Sequence, residues 1–166
     1  TRAIDGASFV GYALPGIVIG LSLVFFAVRT PLYQSLVLLV FAYVVHFLPQ
    51  GTGALRSSIA QIHPGLNEAA RSLGAPPRDV IRRVTWPLVR PGVATASALV
   101  FLTVMKELPL TLMLGPIEFS TLATQVWDAA SAARFGVAAL PALALVVLSS
   151  VPMALFVARE QRQATV

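Results

Sequence analysis

Residues 64–91, PGLNEAARSLGAPPRDVIRRVTWPLVRP, form a polar, arginine-rich stretch flanked on both sides by apolar sequence. Working outward, apolar runs occupy Ser8–Val28, Leu32–Leu48, Gly92–Leu114 and Gly136–Ala158. A membrane-spanning helix needs about 20 such residues, within a range of about 17 to 25. The first, third and fourth runs meet that length, and the second is expected to extend into Pro49 or the loop beyond. Pro15-Gly16, Pro109, Pro141 and Pro152 would break soluble helices, whereas neighbouring helices in a membrane bundle re-satisfy the freed backbone groups. Small residues (Gly16, Gly20 and Ser22; Ala94, Ala96, Ser97 and Ala98) permit close helix approach. The expected fold is all-α: one membrane domain over 1–166, a bundle of about four transmembrane helices with a two-helix loop at 49–91.

Composition points the same way. Of the 166 residues, 57% are hydrophobic and only 11% charged, against about 25% charged in soluble domains. Mean hydropathy is +0.80. A soluble protein of this composition would lack the polar residues to cover its surface. With no cysteine there is no disulfide framework and no thiolate metal site. His46 and His63 lie far apart without a carboxylate cluster, so no resident metal site is expected. No phosphate-binding glycine loop and no nucleophile constellation is present, so no catalytic residues are assigned and the chain is not expected to be an enzyme. Thr1–Ala7 is too short and unpatterned for a signal peptide, and the chain reads as part of a longer protein that began upstream.

Orientation follows from arginine. Arg56, Arg71, Arg78, Arg82, Arg83 and Arg90 lie in the 49–91 segment, with Arg2 and the pair Arg159 and Arg162 near the ends; the opposite side holds Arg29 and Arg134. The positive-inside rule then puts both chain ends and the 49–91 loop in the cytoplasm, and the Arg29–Pro31 and Gly115–Phe135 connections outside.

Within the loop, Pro64-Gly65 opens a short helix over Leu66–Leu73 that Gly74 can end in a left-handed cap. Ala75-Pro76-Pro77 turns the chain into a second helix, Arg78–Trp86, which Pro87 is expected to stop. Val80, Ile81 and Val84 would share one face, with Arg78, Arg82 and Arg83 elsewhere. Composition alone leaves two readings: a basic amphipathic hairpin resting on anionic lipid, or a docking element for a protein.

The spacing bears on that choice. Glu68-Ala69-Ala70, three residues, Gly74, nine residues, then Val84, Trp86 and Pro87 resembles the EAA loop of the permease subunits of binding-protein-dependent ABC importers, with Val84 and Trp86 in place of the commoner Ile and Leu. The resemblance implies that Glu68, Ala69, Ala70, Gly74, Val84 and Pro87 form a coupling helix. That helix would seat in a cytoplasmic ABC ATPase dimer, which binds ATP and Mg, so no cofactor belongs to this chain. Lys106-Glu107-Leu108-Pro109-Leu110-Thr111 and Thr121-Leu122-Ala123-Thr124-Gln125-Val126-Trp127 resemble the C-terminal part of ferric-iron-type permeases. This implies the last four spans of a six-span half, with about two spans missing upstream. It also implies an external substrate-binding protein, a second permease half or subunit, a place in the bacterial inner membrane, and no nucleic-acid partner. Permeases for thiamine, phosphonate or polyamine share the EAA loop and stand as alternatives. A secondary transporter or structural membrane protein with a lipid-bound hairpin is the alternative from another class.

Lys106, Glu107, Pro109 and Thr111 are the candidate pathway or gate, because an ionisable residue inside a span is costly and marks function or a fixed inter-helix pair. Adjacent helical residues point about 100° apart, so Lys106 and Glu107 are not expected to pair with each other. They do not form the clustered oxygen donors of an iron site. Ser120–Ala133 is expected as an amphipathic helix on the outer side, with Leu122, Ala123, Val126, Trp127 and Ala130 on one face. His46 is read as an interfacial histidine at the cytoplasmic end of the second span. His63 is read as a loop residue, and Tyr12, Tyr33 and Tyr43 as packing or interface residues.

Overall fold

The computed structural model describes residues 14–60, 62–63 and 65–163, so Arg2, Tyr12 and the first part of the Ser8–Val28 run lie outside the described residues. Those described are helical with short connections: α1 (Gly16–Ala27), α2 (Leu36–Ala60), α3 (Gly65–Ser72), α4 (Pro77–Val80), a π turn (Ile81–Thr85), α5 (Trp86–Val104), α6 (Pro109–Leu114), α7 (Leu122–Ser131) and α8 (Phe135–Gln163). Among the described residues three stretches are long and apolar enough to cross a membrane: Leu36–Ala60, Pro77–Val104 and Phe135–Pro152; α1 is a shorter apolar helix.

The helix boundaries differ from expectation at two places, Pro87 and Pro109, while a third proline, Pro49, is passed as expected. As expected of the short second run, α2 extends past Leu48 through Pro49, and it reaches Ala60, taking in the first part of the 49–91 segment. A proline inside a helix removes one intrahelical bond, and Pro49 is itself buried. Pro87 does not stop the second loop helix. A regular α-helix would set its ring against the carbonyl four residues back. The π turn just before it, in which the Trp86 N–H bonds to the Ile81 carbonyl, opens the backbone there. The helix therefore continues from Pro77 to Val104. The expected Gly92–Leu114 span is instead divided. Its helix ends at Val104, and Pro109 starts α6 as its first residue, where a missing N–H costs nothing.

The chain divides into two compact units, one drawn from Thr1–Pro49 and Phe101–Val166, the other Gln50–Val100. In the first, Ile19, Ala27, Leu38, Leu39, Ala42, Leu110 and Leu114 form the core, with Leu23, Val24, Tyr33, Tyr43 and Met113 against it. α1 packs on α6 and α7 packs on α8. In α7, Thr121 caps the helix start by accepting from the Thr124 N–H, and the Thr124 hydroxyl accepts from the Thr121 N–H. The buried residues of α7 are Ala123, Thr124 and Ala129, and Trp127 is half exposed.

Much apolar surface is uncovered. Phe25 is 79% exposed, Phe26 77% and Leu140 77%. Apolar surface on this scale would drive a water-soluble protein to associate, and in a bilayer it meets lipid or another helix.

In the second unit, Gly92 lies so close to Ser58 that an added Cβ would overlap the serine's Cβ and Oγ, while Gly51 approaches Val100. α2 and α5 are thereby pinned side by side where the loop leaves and re-enters. Gly92→Ala is expected to lower thermal stability by about 1–3 kcal/mol through this overlap. Adding Ser58→Gly should recover most of that loss, as read from unfolding of the purified single and double variants in detergent.

Candidate functional sites

Two places carry the functional candidates, one in each unit. The first is the turn between α3 and α4. α3 starts one residue earlier than expected and ends at Ser72, within the ordinary scatter of helix ends. Gly74 has φ +82°, the left-handed conformation expected of it. The Ala75 N–H bonds to the Ala70 carbonyl at 3.2 Å and the Gly74 N–H to the Arg71 carbonyl at 2.9 Å. This pair of bonds is the Schellman closure, which satisfies carbonyls that the helix end would leave open. Pro77 begins α4 with its φ already set for a helix.

Glu68 lies in the first turn of α3 and Arg71 in the last, each on the side favoured by the helix dipole. Glu68 and Ala69 are exposed and Ala70 is half-buried. Val80 is buried and Val84 half-buried, but Ile81, expected beside them, is 62% exposed. Arg78, Arg82 and Arg83 are exposed. Arg83 meets Asp79 one helical turn away at 3.6 Å, and at such exposure the pair contributes little.

The residue that sequence reasoning passed over is Leu73. It is 89% exposed at the tip of the turn, beside the left-handed glycine. A leucine projecting from a polar loop has no packing reason to be there, and Leu66 and Ile81 are also exposed elsewhere in the same element. Its adjacency to Gly74 was the signal that could have found it, because the Schellman turn ends the helix and leaves this side chain outside. The element offers a slim helix with Ala69 and Ala70 side by side, the exposed Glu68 carboxylate and the exposed Leu73, chemistry that suits insertion into a cleft on another protein.

The second place lies where α1, α2 and α6 meet. Lys106 and Glu107 do not sit within a helix, as expected, but in the break between α5 and α6. Lys106 is exposed and Glu107 half-buried. The Glu107 carboxylate accepts from the Leu110 N–H at 2.6 Å, holding the start of α6. Thr111, 3% exposed, donates its hydroxyl proton to the Glu107 carbonyl at 3.1 Å. Thr111 also shares a hydrogen bond with the Tyr43 hydroxyl. Since the threonine's one proton is already committed, Tyr43 is the donor in that bond.

His46 joins this group. It lies well inside α2, which continues to Ala60, and not at the end of the span. Its ring stands 4.7 Å from that of Phe47, and its Nδ1 is buried without a partner among the described residues. At Gly16 a Cβ would stand 3.6 Å from His46 Nε2, 3.7 Å from Glu107 Oε1 and 3.8 Å from Leu110 Cγ. The fold thus brings Glu107 and Thr111 together with Gly16, Tyr43 and His46. Pro109 contributes by starting α6, and Lys106 remains at the margin. Tyr43 and His46 are three apart on one helix face, a spacing that could have linked them to each other though not to Glu107. Among the described residues no group of three or more His, Cys, Asp or Glu is placed to hold a metal ion. His63, as expected, lies in a connection, where its Nδ1 accepts from the Gly65 N–H at 3.2 Å.

Comparison with known proteins gives these sites a setting. The family described as "Binding-protein-dependent transport system inner membrane component" matches residues 1–165. The chain is 40% identical over 152 residues to a protein of Haemophilus influenzae named Fe(3+)-transport system permease protein, covering 90% of this chain and 30% of that one. It is 30% identical over 140 residues to a probable ABC transporter permease protein of Sinorhizobium fredii, covering 80% of this chain and 25% of that one. A diacetylchitobiose uptake system permease protein of Streptomyces coelicolor is 35% identical over 82 residues, 49% of this chain and 30% of that one. The chain therefore spans about a third or less of the length of these relatives.

Because Gly74 holds a left-handed φ, Gly74→Ala is expected to destabilise the α3–α4 turn by about 1–2 kcal/mol, and Gly74→Asn by less. Amide hydrogen exchange at Gly74 and Ala75 checks this, with faster exchange in the order Ala, Asn, glycine.

Proposed function

The chain belongs to the family of binding-protein-dependent transport system inner membrane components, and from that premise we propose that it is a membrane-spanning permease subunit of an ATP-driven importer of ferric iron. The observation that carries this reading is the α3–α4 turn, an exposed docking tip followed by an unbroken helical path from Pro77 to Val104. A push on the tip crosses the short, hydrogen-bonded Gly74–Pro76 turn and then enters the span through the backbone hydrogen bonds of one helix. In this reading an ATPase dimer holds Glu68, Ala69, Ala70 and Leu73, and its closure on ATP moves the seated helix as a rigid body. Val84 and Pro87 lie on the helical path itself. The orientation has both ends and the 49–91 segment in the cytoplasm, from the arginine distribution. An external binding protein delivers the cargo, and a second permease half or subunit completes the pathway.

Iron as cargo is supported by the ferric relative, which is similar across 90% of this chain, whereas the diacetylchitobiose relative is similar across 49%. The cluster of Glu107, Thr111, Tyr43 and His46 would face the pathway, and Lys106 and Pro109 would set the break that places it there. The pairing of a costly intramembrane carboxylate with hydroxyl and imidazole groups supports that role.

The test is ATP-driven radioiron uptake into vesicles holding the permease with its ATPase and binding protein. Glu68→Arg and Leu73→Asp are expected to abolish ATPase co-purification and uptake while changing the unfolding free energy by no more than ordinary surface substitutions do, about ±0.5 kcal/mol. Retention of both activities in both variants would sink the docking assignment. Uptake of a sugar but not iron by the wild-type system would replace the cargo.

A further inference from the structure

The Gly16 notch is the feature that the docking mechanism does not use. Three helices bring different groups to one point: α1 supplies a residue without a side chain, α2 an imidazole nitrogen, and α6 with its preceding turn a carboxylate oxygen. The distances at Gly16 are those of ordinary van der Waals contact for a methyl group, and its φ is not left-handed. Neither steric overlap nor backbone conformation therefore requires glycine here. What glycine leaves is a small space bounded by His46 Nε2, Glu107 Oε1 and the Leu110 side chain.

We propose that this notch is a transient site for a hard metal cation in transit, with Glu107 Oε1 and His46 Nε2 as its protein ligands and the Tyr43 hydroxyl, which bonds Thr111, as a further oxygen donor. The proposal rests on the reading of the cluster as part of the translocation pathway. Hard cations take oxygen ligands first and accept imidazole. Tyr43 Oη donates to Thr111, so its lone pairs are open to a cation. Glu107 is held in place by its bond to the Leu110 N–H, which leaves the carboxylate lone-pair capacity beyond that one bond.

Three features make such a site weak, which suits passage more than storage. Only two of its side chains are of the strongly ligating types, in keeping with the lack of any three-residue metal group among the described residues. Among the described residues the His46 Nδ1 has no partner to orient the ring, whereas lasting metal-site histidines are held through the second nitrogen. The exposed Lys106, next to Glu107 in sequence, adds a positive charge nearby. Conduction needs binding strong enough for entry and weak enough for exit.

Terbium(III) is the probe, because a hard trivalent ion beside Tyr43 gains emission by energy transfer from the phenol ring. The full permease chain in nanodiscs of neutral lipid, titrated with terbium(III) under tyrosine excitation, should show saturable emission. Tyr43→Phe should remove most of that emission. Glu107→Gln keeps an oxygen to accept from Leu110 and should weaken binding at least about tenfold, the scale of losing one metal-site partner. Gly16→Ala, which fits without overlap, should leave stability unchanged or raised yet weaken binding by filling the notch. Undiminished affinity in both Glu107→Gln and Gly16→Ala, or emission that survives Tyr43→Phe unchanged, would overturn the site. Loss of iron uptake with an intact terbium site would count against the transport reading alone and leave the site standing.

Discussion

In the hydrocarbon of a membrane no water is available to hydrogen-bond a free peptide group, so every break in a helix must be answered by the protein itself. This one constraint governs how the chain handles its prolines. Pro49, Pro91, Pro141 and Pro152 stay inside helices. Pro87 is preceded by a π turn that lets the helix go on. Pro109 instead starts a new helix, and the open N–H of Leu110 is met by Glu107. The last case joins structure to chemistry, because the carboxylate that repairs the backbone is the one that brings charge to the Gly16 notch.

The all-helical fold and its family were legible because apolar run length and the EAA spacing both survive in the linear sequence. The turn at Gly74 was legible for a local reason: a glycine after an alanine-rich helix and before two prolines leaves few backbone choices. The continuation through Pro49 followed from the shortness of the second run, but the outcomes at Pro87 and Pro109 could not be read. A proline has the same local chemistry in both places, and only the surrounding packing decides whether a helix widens or restarts. The same limit hid the polar cluster. His46 and Glu107 are far apart in the chain, and their meeting at Gly16 depends on how α1, α2 and α6 pack.

The two units solve different problems with small residues. At Gly92 the missing side chain lets helices touch, because Ser58 fills the space. At Gly16 the space is left open between polar atoms. Sequence alone presents both as glycines suited to close packing, yet one acts by contact and the other by vacancy. That difference separates a structural joint from a chemical one.

The π turn at Ile81–Thr85 carries a geometric consequence of its own. A single π turn amounts to one residue inserted into an α-helix, and each residue advances a helix by about 100°. The angular phase between the α3–α4 turn and the faces of α5 is therefore set by one residue's worth of backbone. A chain that lost a single position there would keep its hydropathy and its apparent motif while presenting a different face of the span to its neighbours. Phase along this helix, more than the identity of any side chain in it, decides which surface a motion of the tip would turn.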